Sequence, residues 1–209
     1  MSASSRARRP AGLLLSSGAP GTVSSWAARG LVPVQVVEQD DWTAVVPAGP
    51  SAAGPPYDEA LRVLAARPVA SRMRPTFGLF VIDDIAVVTV HPAGWRAVQR
   101  WVLWHPAHGL ARSQGLALAR PSGLAKAAGV PGRATERDVS GVLRGRHLDA
   151  LTLLEGLVQA LDLPGFPLLA GAPPDPRAAT LVEPQDKHVA RFEATVHHEA
   201  RMRAELEEP

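Results

Sequence analysis

Two β-rich runs, residues 77–82 and 85–90, are separated by only Asp83 and Asp84. A two-residue connection needs backbone at positive φ, which Asp tolerates better than most residues, so the spacing predicts a hairpin and an antiparallel sheet. Upstream, Val32, Val34 and Val36 alternate with Pro33, Gln35 and Val37, the acidic cluster 38–41 turns the chain, and residues 42–46 return. That pattern predicts a second hairpin with a loop of four or five residues. Residues 100–105 read as a fifth strand. Tyr57, Leu61 and Leu64 fall at helical spacing between the hairpins, and Pro68 stops that helix.

From Ser113 onward the periodicity is helical. Ser122 caps a short helix that Gly129 closes, and Thr135 with Asp138 opens another carrying Val139, Val142 and Leu143. The strongest pattern runs from Asp149 to Asp162, with Leu151, Leu154, Leu157, Val158 and Leu161 on one face and Pro164-Gly165 as its stop. Pro173, Pro174 and Pro176 make a stiff connector. After Pro184 a charged helix with Val189, Phe192, Val196 and Leu206 as its apolar stripe extends to about Glu208. Its first half is expected to dock by Phe192 and Val196, and its second half to project or to contact another subunit.

The fold class expected is α+β: a mainly antiparallel sheet of about five strands with one packed helix, followed by a helical C-terminal half. The organisation reads as a disordered basic tail (1–30), an α+β sheet unit (31–110) and a helical subdomain packed on the sheet (111–170). A Pro-rich connector (171–183) and the charged helix (184–209) complete it. The tail assignment rests on its Ser, Ala, Gly and Arg content; its apolar run, Leu13-Leu14-Leu15, is far short of a secretory signal.

With 209 residues, 46% of them apolar and 20% charged, the chain can build a real core. No run approaches 18 apolar residues, and there is no cysteine to form a disulfide or a thiolate site. A cytoplasmic location is expected. Arg outnumbers Lys by 20 to 2 and Asn is absent, the signature of a GC-rich, bacterial coding sequence rather than of selection for phosphate recognition. Charge is uneven: residues 61–146 hold 13 bases and 4 acids, whereas residues 147–209 hold 5 bases and 11 acids. Such asymmetry fits an anionic partner or attraction between two halves of one chain.

Motifs for nucleophilic or phosphate chemistry are missing. There is no Gly-x-Ser-x-Gly elbow, no Walker loop and no Rossmann glycine fingerprint. His91, His105 and His108 fall at strand ends and would hold zinc only if they converged; turn histidines are the simpler reading. His198-Glu199 lacks the second histidine of a metalloprotease helix and reads as a solvated face. Asp83-Asp84 reads as a turn. No catalytic residue, metal or cofactor is assigned.

Trp95, Trp101 and Trp104 cluster with Arg96 and Arg100 interleaved, a composition suited to anchoring a protein partner. Because 101 and 104 have odd separation, their side chains leave a strand on opposite faces. A different function is implied by residues 124–146. Ala125 and Gly129 have the spacing of the helix contact and turn in a helix-turn-helix, with Pro131-Gly132 lengthening the turn. Residues 139–146, followed by the helix after Asp149, resemble the recognition helix of lactose-repressor-like and phage-repressor-like regulators. That resemblance implies DNA binding, with Arg133, Arg137, Arg144 and Arg146 on phosphates.

The expected role is a non-catalytic accessory or protein-binding module whose partner is another protein, with oligomer formation through the C-terminal helix as a further contact and no membrane. The alternatives are a DNA-binding regulator using 124–146 and a hydrolase with a His/carboxylate site.

Overall fold

The computed structural model describes residues 11–94 and 97–207. In chain order the elements are β1 (Gly12–Ser16), α1 (Pro20–Ala27), β2 (Val34–Gln39), β3 (Trp42–Pro47), α2 (Ala60–Ala66), β4 (Thr76–Ile82), β5 (Ile85–His91), β6 (Arg100–His105) and β7 (Gly109–Ala111). There follow α3 (Pro121–Ala127), α4 (Arg133–Arg144), α5 (Ala150–Ala160), α6 (Phe166–Leu169), β8 (Ala179–Val182) and α7 (Asp186–Glu207). A 3-10 turn, Ser71–Met73, precedes β4.

The class is α+β, and the described strands form one antiparallel sheet in the order β7-β6-β5-β4-β1-β3-β2-β8. Eight described strands stand where about five were expected. Both hairpins have two-residue turns: Ile82 pairs with Ile85, and Gln39 with Trp42. Asp83 and Asp84 sit at φ 49° and 61°, and Asp40 at φ 50°, the left-handed region that Asp enters at low cost. The first hairpin is therefore tighter than the expected four- or five-residue loop, because Glu38 and Gln39 remain in the ladder.

The strand missing from the sequence reading is the one at the centre. Residues 11–30 are not a disordered tail: they form β1 and α1, while residues 1–10 lie outside the described residues. Leu13, Leu14 and Leu15 are buried, and β1 pairs with β3 on one side and β4 on the other. A short run apolar at every position suits a strand covered on both faces, which an alternation test passes over.

Both faces are indeed covered. Leu13, Leu15, Phe77, Leu79 and Val88 face a layer made by α3, α4, α5 and α6, whose Leu124, Val139, Leu143, Leu153, Leu157 and Leu169 complete one core. Leu14, Val36, Val45 and Phe80 face α1 and α2, whose Val23, Trp26, Leu61 and Leu64 complete the other. The expected single packed helix is thus a pair. The Pro-rich connector also contains β8, which extends the sheet beyond β2.

The C-terminal helix α7 leaves this body. Its start is tied by the Gln185 amide donating to the Ala28 carbonyl, and Phe192 meets Tyr57 edge to face at 4.9 Å. Val196 is half-buried, whereas Leu206 is 82% exposed. No helix among the described residues is long and apolar enough to cross a membrane.

Candidate functional site

The tryptophan and arginine residues separate once β6 is in place. Trp104 pairs with Ala86 and turns into the core beneath α4 and α5, where it meets the His147 ring edge to face at 5.5 Å. It is 1% exposed, so it cannot belong to a surface patch. Trp101 pairs with Thr89, lies on the other face and is half-buried; Arg100 is exposed. Trp95 and Arg96 lie outside the described residues. A strand's period of two therefore divides the expected patch.

What the fold does assemble is a cleft of about 340 Å³ at the β7 edge of the sheet. Val102 from β6, Leu110 and Arg112 around β7, and Ser140, Leu143 and Arg144 from α4 line it, whereas the Trp101 and Leu103 side chains pack on the other face of the sheet. The segment after β7 folds back, so that Trp101 exchanges backbone hydrogen bonds with Ala117 and Ala119, both 2.8 Å. The Arg100 guanidinium donates to the Leu118 carbonyl at 3.4 Å. Leu110 and Leu118 stay 50% and 38% exposed, apolar surface that this fold leaves uncovered.

Arg144 comes from the segment resembling a helix-turn-helix. α3 and α4 do form a helix pair, joined through Gly129 at φ 82°, and Val139 and Leu143 are buried against the sheet. Arg133, Arg137, Arg144 and Arg146 are all exposed. At 3.6 residues per turn the first three share an arc of about 40° on α4, turned away from the buried face. The structure thus brings Leu110 and Arg144, 34 positions apart, to one opening. No local pattern in the sequence announces that meeting, because it depends on α4 lying along the β6–β7 edge.

A larger groove of about 820 Å³ lies between residues 47–50, the start of α2, the end of β4 and residues 171–174. Its carboxylates include Glu59 and Asp83, and both are paired with Arg62.

The histidines do not converge. Since β5 and β6 are antiparallel, with Ala86 opposite Trp104 and Val90 opposite Arg100, His91 and His105 sit at opposite ends, roughly 20 Å apart. His105 stacks on His108, and its Nδ1 accepts the Ala107 amide at 3.0 Å. Among the described residues no group of three or more His, Asp or Glu is placed to hold a metal ion. His198 and Glu199 are exposed on α7.

One buried polar row crosses the sheet: Thr43, Ser16, Thr76 and His91 are successive cross-strand partners on β3, β1, β4 and β5. The Ser16 and Thr76 hydroxyls both donate to the Met73 carbonyl, and Thr43 donates to the Gly18 carbonyl. His91 ends the row, and neither of its ring nitrogens has a hydrogen-bond partner among the described residues. Burial, together with the Arg74 charge, lowers its pKa to about 4, so the imidazole is neutral at pH 7.

Comparison with protein-family models, with curated proteins and with solved structures found no match.

Proposed function

We propose that the protein is a non-catalytic protein-binding module that docks another polypeptide at the β6–β7–α4 cleft. The observation that carries this reading is that Arg112 and Arg144 line one opening beside the exposed Leu110, which leaves β7 on the α4 face of the sheet. Arginine is enriched among the residues that dominate protein interfaces, and an apolar floor with a polar rim is the usual anatomy of such a contact. The projecting half of α7, with Leu206 and Met202 exposed, offers a further contact for oligomer formation. The cytoplasm is the compartment this reading assumes.

The test is a photo-crosslinking residue placed at Leu110, with Leu181 on the opposite sheet edge as the control. Leu181 is 57% exposed, so the two positions compare equally accessible side chains. In the native host's extract, Leu110 is expected to trap one defined polypeptide that Leu181 does not. Absence of an adduct at Leu110, or the same adducts at both positions, defeats the proposal.

A second reading, DNA binding through α4, draws on the arc shared by Arg133, Arg137 and Arg144. It predicts binding to random duplex that weakens steeply with salt, as arginines displace counterions. No binding at low salt removes it.

A further inference from the structure

We infer that the cleft takes an acidic polypeptide segment carrying one bulky apolar side chain, with its carboxylates on Arg112 and Arg144. This inference rests on reading the protein as a protein-binding module, and it adds the partner's chemistry.

Three observations converge on it. First, among the described residues lining the cleft there are two arginines and no carboxylate. Neither Arg112 nor Arg144 forms an ion pair to a carboxylate among the described residues, and both are exposed. Their charge is therefore unspent among the described residues. Secondly, the surrounding stretch reinforces the sign: residues 100–146 hold eight bases (Arg100, Arg112, Arg120, Lys126, Arg133, Arg137, Arg144 and Arg146) against two acids, Glu136 and Asp138. A field of that sign draws acidic segments towards the opening and repels basic ones.

Thirdly, the floor is apolar. Leu110 stands exposed at the opening, beside Val102, Leu143 and Pro121, and a ligand that offered only charge would leave it in contact with water. This distinguishes a peptide from duplex DNA. A phosphate backbone has no apolar side chain to fill the floor, and it would run along the Arg133–Arg137–Arg144 arc instead. An acidic segment with a Leu, Ile or Phe satisfies rim and floor together. Arginine also matches the fork geometry of carboxylates, which favours bidentate capture over loose counterion attraction.

The experiment uses the full chain and fluorescence anisotropy with three probes. They are a short peptide of Asp and Glu with one central Leu, the same peptide with Ser in place of Leu, and a duplex DNA of matched charge. The Leu peptide is expected to bind, more weakly as salt rises, and about tenfold more tightly than the Ser peptide, as burial of one large aliphatic group implies. The double variant R112E/R144E is expected to lose binding by more than about tenfold, as is Leu110→Asp, which leaves the arginines in place. R133E/R137E is expected to change it by less than about threefold, because those side chains lie outside the cleft.

Equal affinity for the two peptides overturns the inference, since charge alone would then explain binding. Tighter binding of the duplex, lost in R133E/R137E, overturns it in favour of the DNA reading. A concentration-dependent dimer that excludes the Leu peptide, with both effects reversed by Leu206→Asp, overturns it by placing the protein's own C-terminal helix in the cleft. If Leu110 crosslinks one partner while no acidic peptide binds, the partner chemistry falls and the binding-module reading stands.

Discussion

The Arg67 guanidinium lies over the indole of Trp26, 3.8 Å from the ring centroid, and its Nη2 donates to the Trp26 carbonyl. One side chain from the end of α2 thereby caps the last turn of α1 through both its ring and its backbone. Burial, and secondarily the charge of Arg29, lowers the Arg67 pKa to about 10, which leaves it cationic at neutral pH.

Arg67→Lys is expected to destabilise the protein by on the order of 2 kcal/mol, since lysine keeps the charge but loses the planar stack and the fixed donor. Urea denaturation measures it. A change within about 0.5 kcal/mol would show that the contact is incidental.

Stability should fall on mild acidification because of His91. Its folded pKa, about 4, is below the ordinary 6.5, so the unfolded chain binds the proton more readily. Stability is complete above pH 6.5, declines as pH drops through that window, and the full loss, up to about 3 kcal/mol, is reached below pH 4. His91→Leu should abolish this part of the pH dependence. An unchanged slope in the variant would assign the effect to other groups.

Two glycines make a paired prediction. A Cβ at Gly78, in the middle of β4, would come within 2.4 Å of both the buried Phe80 ring and the Thr89 hydroxyl. Gly78→Ala should cost about 1–3 kcal/mol through overpacking. At Gly141 in α4 nothing lies within 4 Å of the added atom. Gly141→Ala should stabilise by about 0.5–1 kcal/mol, and thermal melts of the two variants should move in opposite directions.

Phe192 is half-buried and reaches the body through the Tyr57 ring. Phe192→Ala should therefore cost about 1 kcal/mol, well below the 3 kcal/mol or more of a core phenylalanine. Leu206→Asp should change monomer stability by less than about 0.5 kcal/mol. Chemical denaturation separates the two. A loss of 3 kcal/mol or more at Phe192 would mean that α7 is part of the core.

The features legible in the sequence are those set by neighbours in the chain. Asp83-Asp84 fixed a turn because positive φ is a local demand. Asp149 marked the start of α5 because its carboxylate accepts the Thr152 amide at 2.8 Å, three residues on. β1 was hidden because Leu13 to Leu15 become a strand only by pairing with residues some 30 and 65 positions later. β8 was hidden for the same reason: residues 179–182 carry no alternation, and β2 alone gives them a partner. The cleft was half legible. Arg144 was singled out by type and Leu110 was not, because only the folded edge of the sheet makes them neighbours.

The central place of β1 has a consequence for how the protein is made. β4 to β7 form one run of consecutive strands, and β2, β3 and β8 another; β1 alone joins them. β1 must therefore wait until residue 82 has emerged before both its edges are occupied, a long-range closure of the kind that slows folding. The same arrangement makes the protein a natural split system: a chain lacking residues 11–17 should hold two unjoined half-sheets, and a peptide of that sequence, added in trans, should restore the whole.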